Sequence, residues 1–496
     1  MTKHQKQRSS WALGVFSSAL VVIGGAFPIK VLAAENSQDV RKLEEQIFDA
    51  EASELSALEI KIAKLLQNEP RSATANYLMS VLLLKMFTLE PGSYSLIRQS
   101  TELAAQSYEL DPKSDLAISS MASILEITGE STRGLDLIRD AGIKGVQLGW
   151  RSKLASARLL FDGKNGADVL KALEEVVKYP DYSPSIVAPT LITAITSTYQ
   201  GQDQIPQLLE WRKRSPSLNI DLAIANAFAL GLQYDEALDE YSKIIEKQPS
   251  NAEALLSKGI ISLTQKKDNS TAIKLFQRAI QHSKLESDKL AAETHLALAL
   301  ISQKKGSATP AISASVQAIN DAGDQEAVLM TVLTSFRKNQ GLNATLDFLG
   351  VLSEKVPGLH LAHALKAELL SEKMGRHFEA TRDFTNAITL EPGRSEYYNG
   401  RGLAWMGLSN LEAALADFQT AVATNPGDAS ARYNVACAQA RLGMNTAAID
   451  SLSKAIELDE RLMSNARTDK DLVSLHSEPD FNTLVTDGPK VFSVAH

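Results

Sequence analysis

Cysteine is all but missing from this chain. Cys437 is the single one among 496 residues, so no disulfide can close within it, whatever the redox compartment. Aromatic residues are scarce at 6%, and no run of alternating β-branched residues between hairpin turns marks a strand. A nucleophile elbow, a phosphate-cradling glycine loop, a zinc-protease helix and paired cysteines are absent too, so the common catalytic and metal-binding signatures are missing. An excess of basic charge is also lacking: 51 lysines and arginines stand against 59 acidic residues, for a net charge of −8. That balance argues against nucleic acid or an anionic membrane surface as the main partner.

What is present begins with an unusual N-terminal segment, which ends at Ala34. Lys3, Lys6 and Arg8 form a basic start, an apolar run covers residues 11–27, and Pro28 precedes the stretch Val31-Leu32-Ala33-Ala34. Basic, apolar and small residues in that order predict a secretory signal peptide over residues 1–33, cut after Ala33 or Ala34. The alternative is an uncleaved membrane anchor, although the run holds Gly14, Gly24 and Gly25 and is short for a span of about 20 residues. Either way the remainder leaves the cytoplasm, with the periplasm expected and an inner-membrane anchor facing it, or secretion, as alternatives. No cysteine stands near the cut to take a lipid. Removing residues 1–33 takes four bases and no acid, leaving 47 against 59 and a charge of about −12.

The rest of the chain is rich in Ala and Leu, with Gly and Pro at spaced breaks, which favours helices throughout. It also repeats itself. Ala380, Ala414 and Ala448 recur at one fixed step, Phe384, Phe418 and Leu452 keep it, and so do Ala387, Ala421 and Ala455. Pro392 and Pro426 close two of these units, and Gly375 and Gly443 sit two periods apart. Within 395–426, Tyr398, Gly402 and Trp405 share one face of a first helix, and Ser409-Asn410 make the turn. Leu411, Ala414, Leu415, Phe418 and Ala421 then trace the apolar stripe of a second helix. Gly402 and Ala414 are small where two helices cross closely, and Phe418 is large where the next hairpin needs filling.

This pattern resembles the tetratricopeptide repeat (TPR), whose signature places Gly or Ala, Tyr, Ala, Phe, Ala and Pro in this order over about 34 residues. The register is best over 361–460, with two departures: Glu368 stands where a small residue is usual, and Glu460 replaces the closing proline. Residues 218–249 fit through Ala225, Phe228, Ala237, Tyr241 and Pro249, and 252–283 fit with one inserted residue near Lys266-Lys267-Asp268. Residues 185–216 and 326–357 keep the length and the proline. The segments 39–70, 73–112, 115–145, 150–180 and 286–320 read as divergent hairpins. The chain thus divides into the signal peptide, divergent hairpins over 34–216, TPR-like repeats over 217–320, TPR repeats over 321–460, and a capping helix and tail over 461–496. The cap rests on Asp471-Leu472, Leu475, Pro479, Phe481 and Leu484, an ending that resembles the close of many bacterial TPR proteins. The resemblance implies an all-α, right-handed superhelical solenoid of TPR-like hairpins with one C-terminal helix covering the last repeat.

Few residues ask for chemistry. His360 and His363 lie three apart but have no third ligand, Glu174-Glu175 and Asp235-Glu236 read as solvated charges, and Arg212-Lys213-Arg214 reads as a helix C-terminus. Cys437 reads as a small apolar residue between helices, with Arg441 the one cation near enough in sequence to activate it. No catalytic residue, metal or cofactor is expected. In TPR proteins the first helix of each hairpin lines an inner groove. Carried over, its positions here include Asn219, Leu222 and Asn226; Leu365, Leu369 and Glu372; Asn399, Leu403 and Met406; and Ser430, Tyr433, Asn434, Cys437 and Arg441. Asn399, Leu403, Met406, Tyr433, Asn434, Arg441 and Asn226 are the candidate contacts, Asn399 and Tyr433 being expected to face the groove more than the core. The basic clamp that grips chaperone C-termini is not expected, because Leu365 and Leu369 replace its residues. The resemblance implies a non-enzymatic adaptor or scaffold of the cell envelope that binds protein or peptide segments. An anchored subunit of an envelope assembly or secretion complex, and a glycan- or peptidoglycan-binding accessory using Tyr433 and Trp405, are the alternatives.

Overall fold

The computed structural model describes residues 37–50, 52–89, 93–161, 166–303 and 308–488. The predicted export segment, residues 1–33, lies outside the described residues, as do residues 489–496 of the tail. Among the described residues the chain is all-α, without a strand, and no helix is long and apolar enough to cross a membrane. It divides into two compact units between Ile220 and Asp221.

Unit 1 holds α1 (Ser37–Asp49), α2 (Ala52–Asn68), α3 (Ala73–Leu89), α4 (Tyr94–Leu110), α5 (Asp115–Ile127), α6 (Ser131–Ile143), α7 (Trp150–Leu159), α8 (Gly166–Val176), α9 (Pro184–Thr198) and α10 (Gln204–Arg214). From α3 onward consecutive helices pair as hairpins, and each hairpin packs on the next. The expected hairpin over 39–70 is not seen. α2 packs on α3, while α1 crosses to α3 and α9 and bonds to α7.

The boundary falls inside α11 (Leu218–Leu230), which is bonded to α12 (Tyr234–Lys247) by Asn226–Tyr241 and Asp221–Lys247. Unit 2 continues through α13 (Ala252–Thr264), α14 (Asn269–His282), α15 (Glu286–Ile301), α16 (Thr309–Asp321), α17 (Gln325–Asn339), α18 (Gly341–Lys355), α19 (His360–Glu368), α20 (His377–Leu390), α21 (Ser395–Gly407), α22 (Leu411–Thr424), α23 (Ala429–Arg441) and α24 (Asn445–Leu458). Each later hairpin turns on a residue with positive φ: Gly341, Gly375, Ser409 and Gly443 follow one another at the step of the repeat, with φ of +83°, +64°, +59° and +74°. A left-handed residue suits glycine, and Ser409 occupies it without that freedom. The insertion expected near 266–268 is the same device, with Lys267 at φ +57° in the turn from α13 to α14.

The signature positions are buried as expected. Ala380, Ala414 and Ala448 are fully or almost fully covered, as are Phe384, Phe418 and Leu452. A β-carbon at Gly402 would lie 2.5 Å from Phe418 Cε1, and one at Gly259 equally close to Phe276, so both first helices need a residue without one. The departure at Glu368 also has a structural reason. α19 ends in a π-helical turn, Leu369–Lys373, which takes up one extra residue and leaves Ala367, not Glu368, buried in the stack. The slip appears in the polar bridges of neighbouring hairpins: Lys366 reaches Asp383 across 17 positions, whereas Arg401 reaches Asp417 across 16.

The cap differs from the single helix expected. It consists of α25 (Leu462–Ala466), a 3₁₀ turn (Lys470–Leu475) and α26 (Pro479–Asp487). Leu472, Leu475, Phe481, Leu484 and Val485 bury against Ala448, Leu452, Ala455 and Ile456 of α24. Two breaks explain the pieces. Asp469 caps the 3₁₀ turn by accepting from Asp471 N at 2.9 Å, and Pro479 starts α26, where its missing N–H is not needed.

Candidate functional site

The predicted groove positions do not form one open row. On α21 and α23, Asn434 Nδ2 donates to Asn399 Oδ1 at 2.8 Å, which links two adjacent first helices by their side-chain amides. Leu403, one turn beyond Asn399, is 42% exposed. Met406 is buried with Phe418 and Ala436, because its side chain fills the joint between hairpins. Asn226 stands in another hairpin and is a bridge in its own right. It accepts from the Tyr241 hydroxyl at 2.5 Å and donates to Glu253 at 3.2 Å, tying α11 to α12 and α13. Leu222, Leu365 and Leu369 are buried too, the last two against Phe336 and Phe348 of the preceding hairpin.

At the last repeat the inner face is covered by the cap. The Tyr433 hydroxyl donates to Asp469 Oδ2 at 2.7 Å, Cys437 Sγ approaches the same oxygen at 3.9 Å, and Arg441 pairs with Asp471 at 3.5 Å. Tyr433 is 9% exposed, so the expectation that it faces the groove more than the core is corrected. The cause is the 3₁₀ turn, which carries Asp469 and Asp471 across α23. Cys437, Asp469 and Asp471 bring a thiol and two carboxylates within 4.8 Å. Burial pushes the Cys437 thiol far above its usual range, and the two carboxylates push it further. Arg441 does not activate it, being engaged with Asp471. This thiol is a packing group held protonated, with each polar neighbour already bonded within the chain.

The two histidines take separate partners. His360 Nδ1 meets the Tyr397 hydroxyl at 2.7 Å and its Nε2 lies 3.2 Å from Glu326, while His363 faces Asp383 at 3.5 Å. Arg212, Lys213 and Arg214 do occupy the last turn of α10, and Trp405 packs half-buried against the core.

Sequence reading missed a class of buried carboxylates. Asp383 and Asp417, each just before the large phenylalanine of its hairpin, are buried and take a cation from the first helix: Lys366 at 3.1 Å, and Arg401 through Nε and Nη2 at 2.8 and 2.7 Å. Burial alone would raise the pKa of Asp383, but the His363 imidazole 3.5 Å away and the charge of Lys366 outweigh it and hold the carboxyl below its usual range. The available signal was an acid in front of each phenylalanine, recurring at the step of the repeat.

A family model agrees with this architecture: that of the tetratricopeptide repeat matches residues 222–285, 372–429 and 401–461. No curated protein matches the chain. Among solved structures, the MamA RS-1 ArsTM double mutant is 16% identical, covering 38% of this chain and 96% of its own, with a TM-score of 0.28. MamA 41-end from Desulfovibrio magneticus RS-1 is 14% identical over 42% and 96%, with a TM-score of 0.27. The TPR2AB-domain:pHSP90-complex of yeast Sti1 is 20% identical over 52% and 97%, with a TM-score of 0.23.

Proposed function

We propose that this chain, which carries tetratricopeptide repeats over residues 222–285 and 372–461, is a non-enzymatic scaffold of the cell envelope that binds segments of partner proteins. The observation that carries this reading is the amide pair Asn399–Asn434 with Leu403 exposed one turn away. Amides that bond each other retain further donor and acceptor capacity for a peptide backbone, and an exposed leucine beside them offers apolar contact. Recognition is therefore assigned to the face of α21 and α23 ahead of the cap, with Arg441 at its rim. Met406 and Tyr433 serve this face by holding its hairpins in place, whereas Asn226 does the same for the distant hairpin of α11. Export supplies the envelope location, with the periplasm favoured by the basic-apolar-small order of residues 1–34. The glycan-binding reading is the weaker one, since Tyr433 is buried and Trp405 is packed.

The test is capture of partners from envelope extract by the mature chain and by a variant carrying Asn399→Ala and Leu403→Glu. The variant is expected to lose about 2 kcal/mol of affinity, roughly 30-fold, if the pair acts as a hot spot. Its helical content should be unchanged. Equal recovery by both chains would move recognition elsewhere.

A further inference from the structure

Helix α1 is seated in unit 1 as a ligand is seated in a groove. It lies against α3, α7 and the start of α9, the first helices of three hairpins, and joins none of these hairpins itself. Its buried positions are Val40, Leu43, Glu44 and Ile47, spaced i, i+3, i+4 and i+7, while Lys42, Gln46 and Asp49 are exposed. That is the pattern by which an amphipathic helix lays one face into a groove.

The centre of the contact is a charge. Glu44 is 4% exposed. Arg151 donates to both its oxygens, Nε to Oε1 at 2.7 Å and Nη2 to Oε2, and the Tyr77 hydroxyl donates to Oε1 as well. The guanidinium lies over the ring of Trp150, 4.5 Å from its centre. A planar cation stacked on an indole and flanked by a phenol is a preorganised receptor for one carboxylate. The rim adds weaker bonds: Ser183 to Glu45 at 2.7 Å, and Lys85 Nζ to the carbonyl of Phe48 at 2.7 Å.

α1 is also separable from what it covers. The hairpins α3–α4, α5–α6 and α7–α8 close on themselves and stack without it. A helix of 13 residues is marginal alone in water, so the groove holds it folded, not its own propensity. With α1 gone, Arg151 would lack the carboxylate that now takes its Nε and Nη2, which selects for a replacement with a glutamate at the same place.

We propose that the inner groove of unit 1 is a receptor site for an amphipathic helix with apolar residues at i, i+3 and i+7 and a glutamate at i+4. Ser37–Asp49 is its resident, exchangeable occupant, and a partner helix of the same pattern displaces it. The site uses only residues of unit 1, so its fate is independent of the amide pair on α21 and α23.

The test uses the full chain and a fluorescent peptide of residues 36–50. Glu44→Lys in the chain sets a cation against Arg151 and should eject α1. The variant is then expected to bind the peptide at least tenfold more tightly than the wild type, whose own helix competes at high effective concentration. A peptide carrying Glu44→Lys should bind neither chain. A folded variant that takes up no peptide, or equal binding by both chains, overturns the proposal. Should the variant fail to fold, hydrogen exchange of the wild type decides: amides of α1 exchanging at least tenfold faster than those of α3 and α5 support an exchangeable occupant, and equal rates overturn it.

Discussion

At Gly402 a β-carbon would meet Phe418, and Ala414 on the facing helix has no exposed surface, so the hairpin α21–α22 closes only around small residues. Ala414→Leu is expected to overpack this crossing and cost about 1–3 kcal/mol, read as a lower urea midpoint at unchanged slope. The turn of the same hairpin predicts the opposite sign. Ser409 holds the left-handed conformation that Gly341, Gly375 and Gly443 hold at matching places, at a cost of roughly 1–2 kcal/mol for a residue with a β-carbon. Ser409→Gly should therefore stabilise by about 1 kcal/mol once the greater freedom of glycine in the unfolded chain is subtracted. No rise in midpoint would mean that the serine carries no strain. Cys437 adds a dependence on pH. Burial and the carboxylates of Asp469 and Asp471 keep its thiol protonated in the folded chain well past the point, near pH 8.5, where an unfolded thiol ionises. Stability is full below that pH and falls above it, by up to about 1.4 kcal/mol per pH unit, because only the unfolded state releases the proton. Between pH 8.5 and 10 the wild-type urea midpoint should fall more steeply than that of Cys437→Ala. Parallel curves would show that the thiol ionises in place.

The hairpins were legible as elements because packing repeats: each small residue faces a large one, and the spacing of Ala380, Ala414 and Ala448 is the spacing of the stack itself. Other features lack a period. Val40, Leu43 and Ile47 make the same apolar stripe whether α1 pairs in a hairpin or crosses a groove, and what distinguishes the two are partners far along the chain, Arg151 at 107 positions and Ser183 at 138. Tyr433 and Met406 likewise fall on the predicted face of their helices. What covers that face comes from the next hairpin or from the cap, and helical periodicity is blind to both. Asp417 was overlooked because a carboxylate is ordinarily read as solvated, and its burial depends on the forked bond from Arg401. The cap makes its own prediction. Phe481 is 1% exposed and packs in one cluster with Leu452 and Leu475. Phe481→Ala should cost about 3–5 kcal/mol and loosen α23 and α24 first, because a terminal repeat is held by its cap on the outer side. Faster hydrogen exchange confined to α23 and α24 would be the mark. An unchanged pattern would make the cap an appendage.

Across the whole molecule, stacked hairpins relieve a long chain of the need for one central core, since each buries its apolar face mainly against its neighbours. The expected destination of the chain rests on residues 1–33, whose order of basic, apolar and small residues predicts a signal peptide. Cleavage after Ala33 or Ala34 would leave no more than three residues ahead of Ser37, where α1 begins, so a mature chain would keep all of the helix seated in unit 1. The same cut would remove four bases and no acid, taking the charge to about −12 and strengthening the case for protein partners over polyanions. Mass spectrometry of the natural protein is expected to give an N-terminus at Ala34 or Glu35 in a soluble envelope fraction. Met1 retained in a membrane fraction would instead make residues 11–27 an anchor, with α1 starting ten residues beyond it. Met1 retained in cytosol would remove export altogether. The scaffold reading would then have to seek its partners among cytosolic proteins, with the amide pair and the groove of unit 1 unchanged.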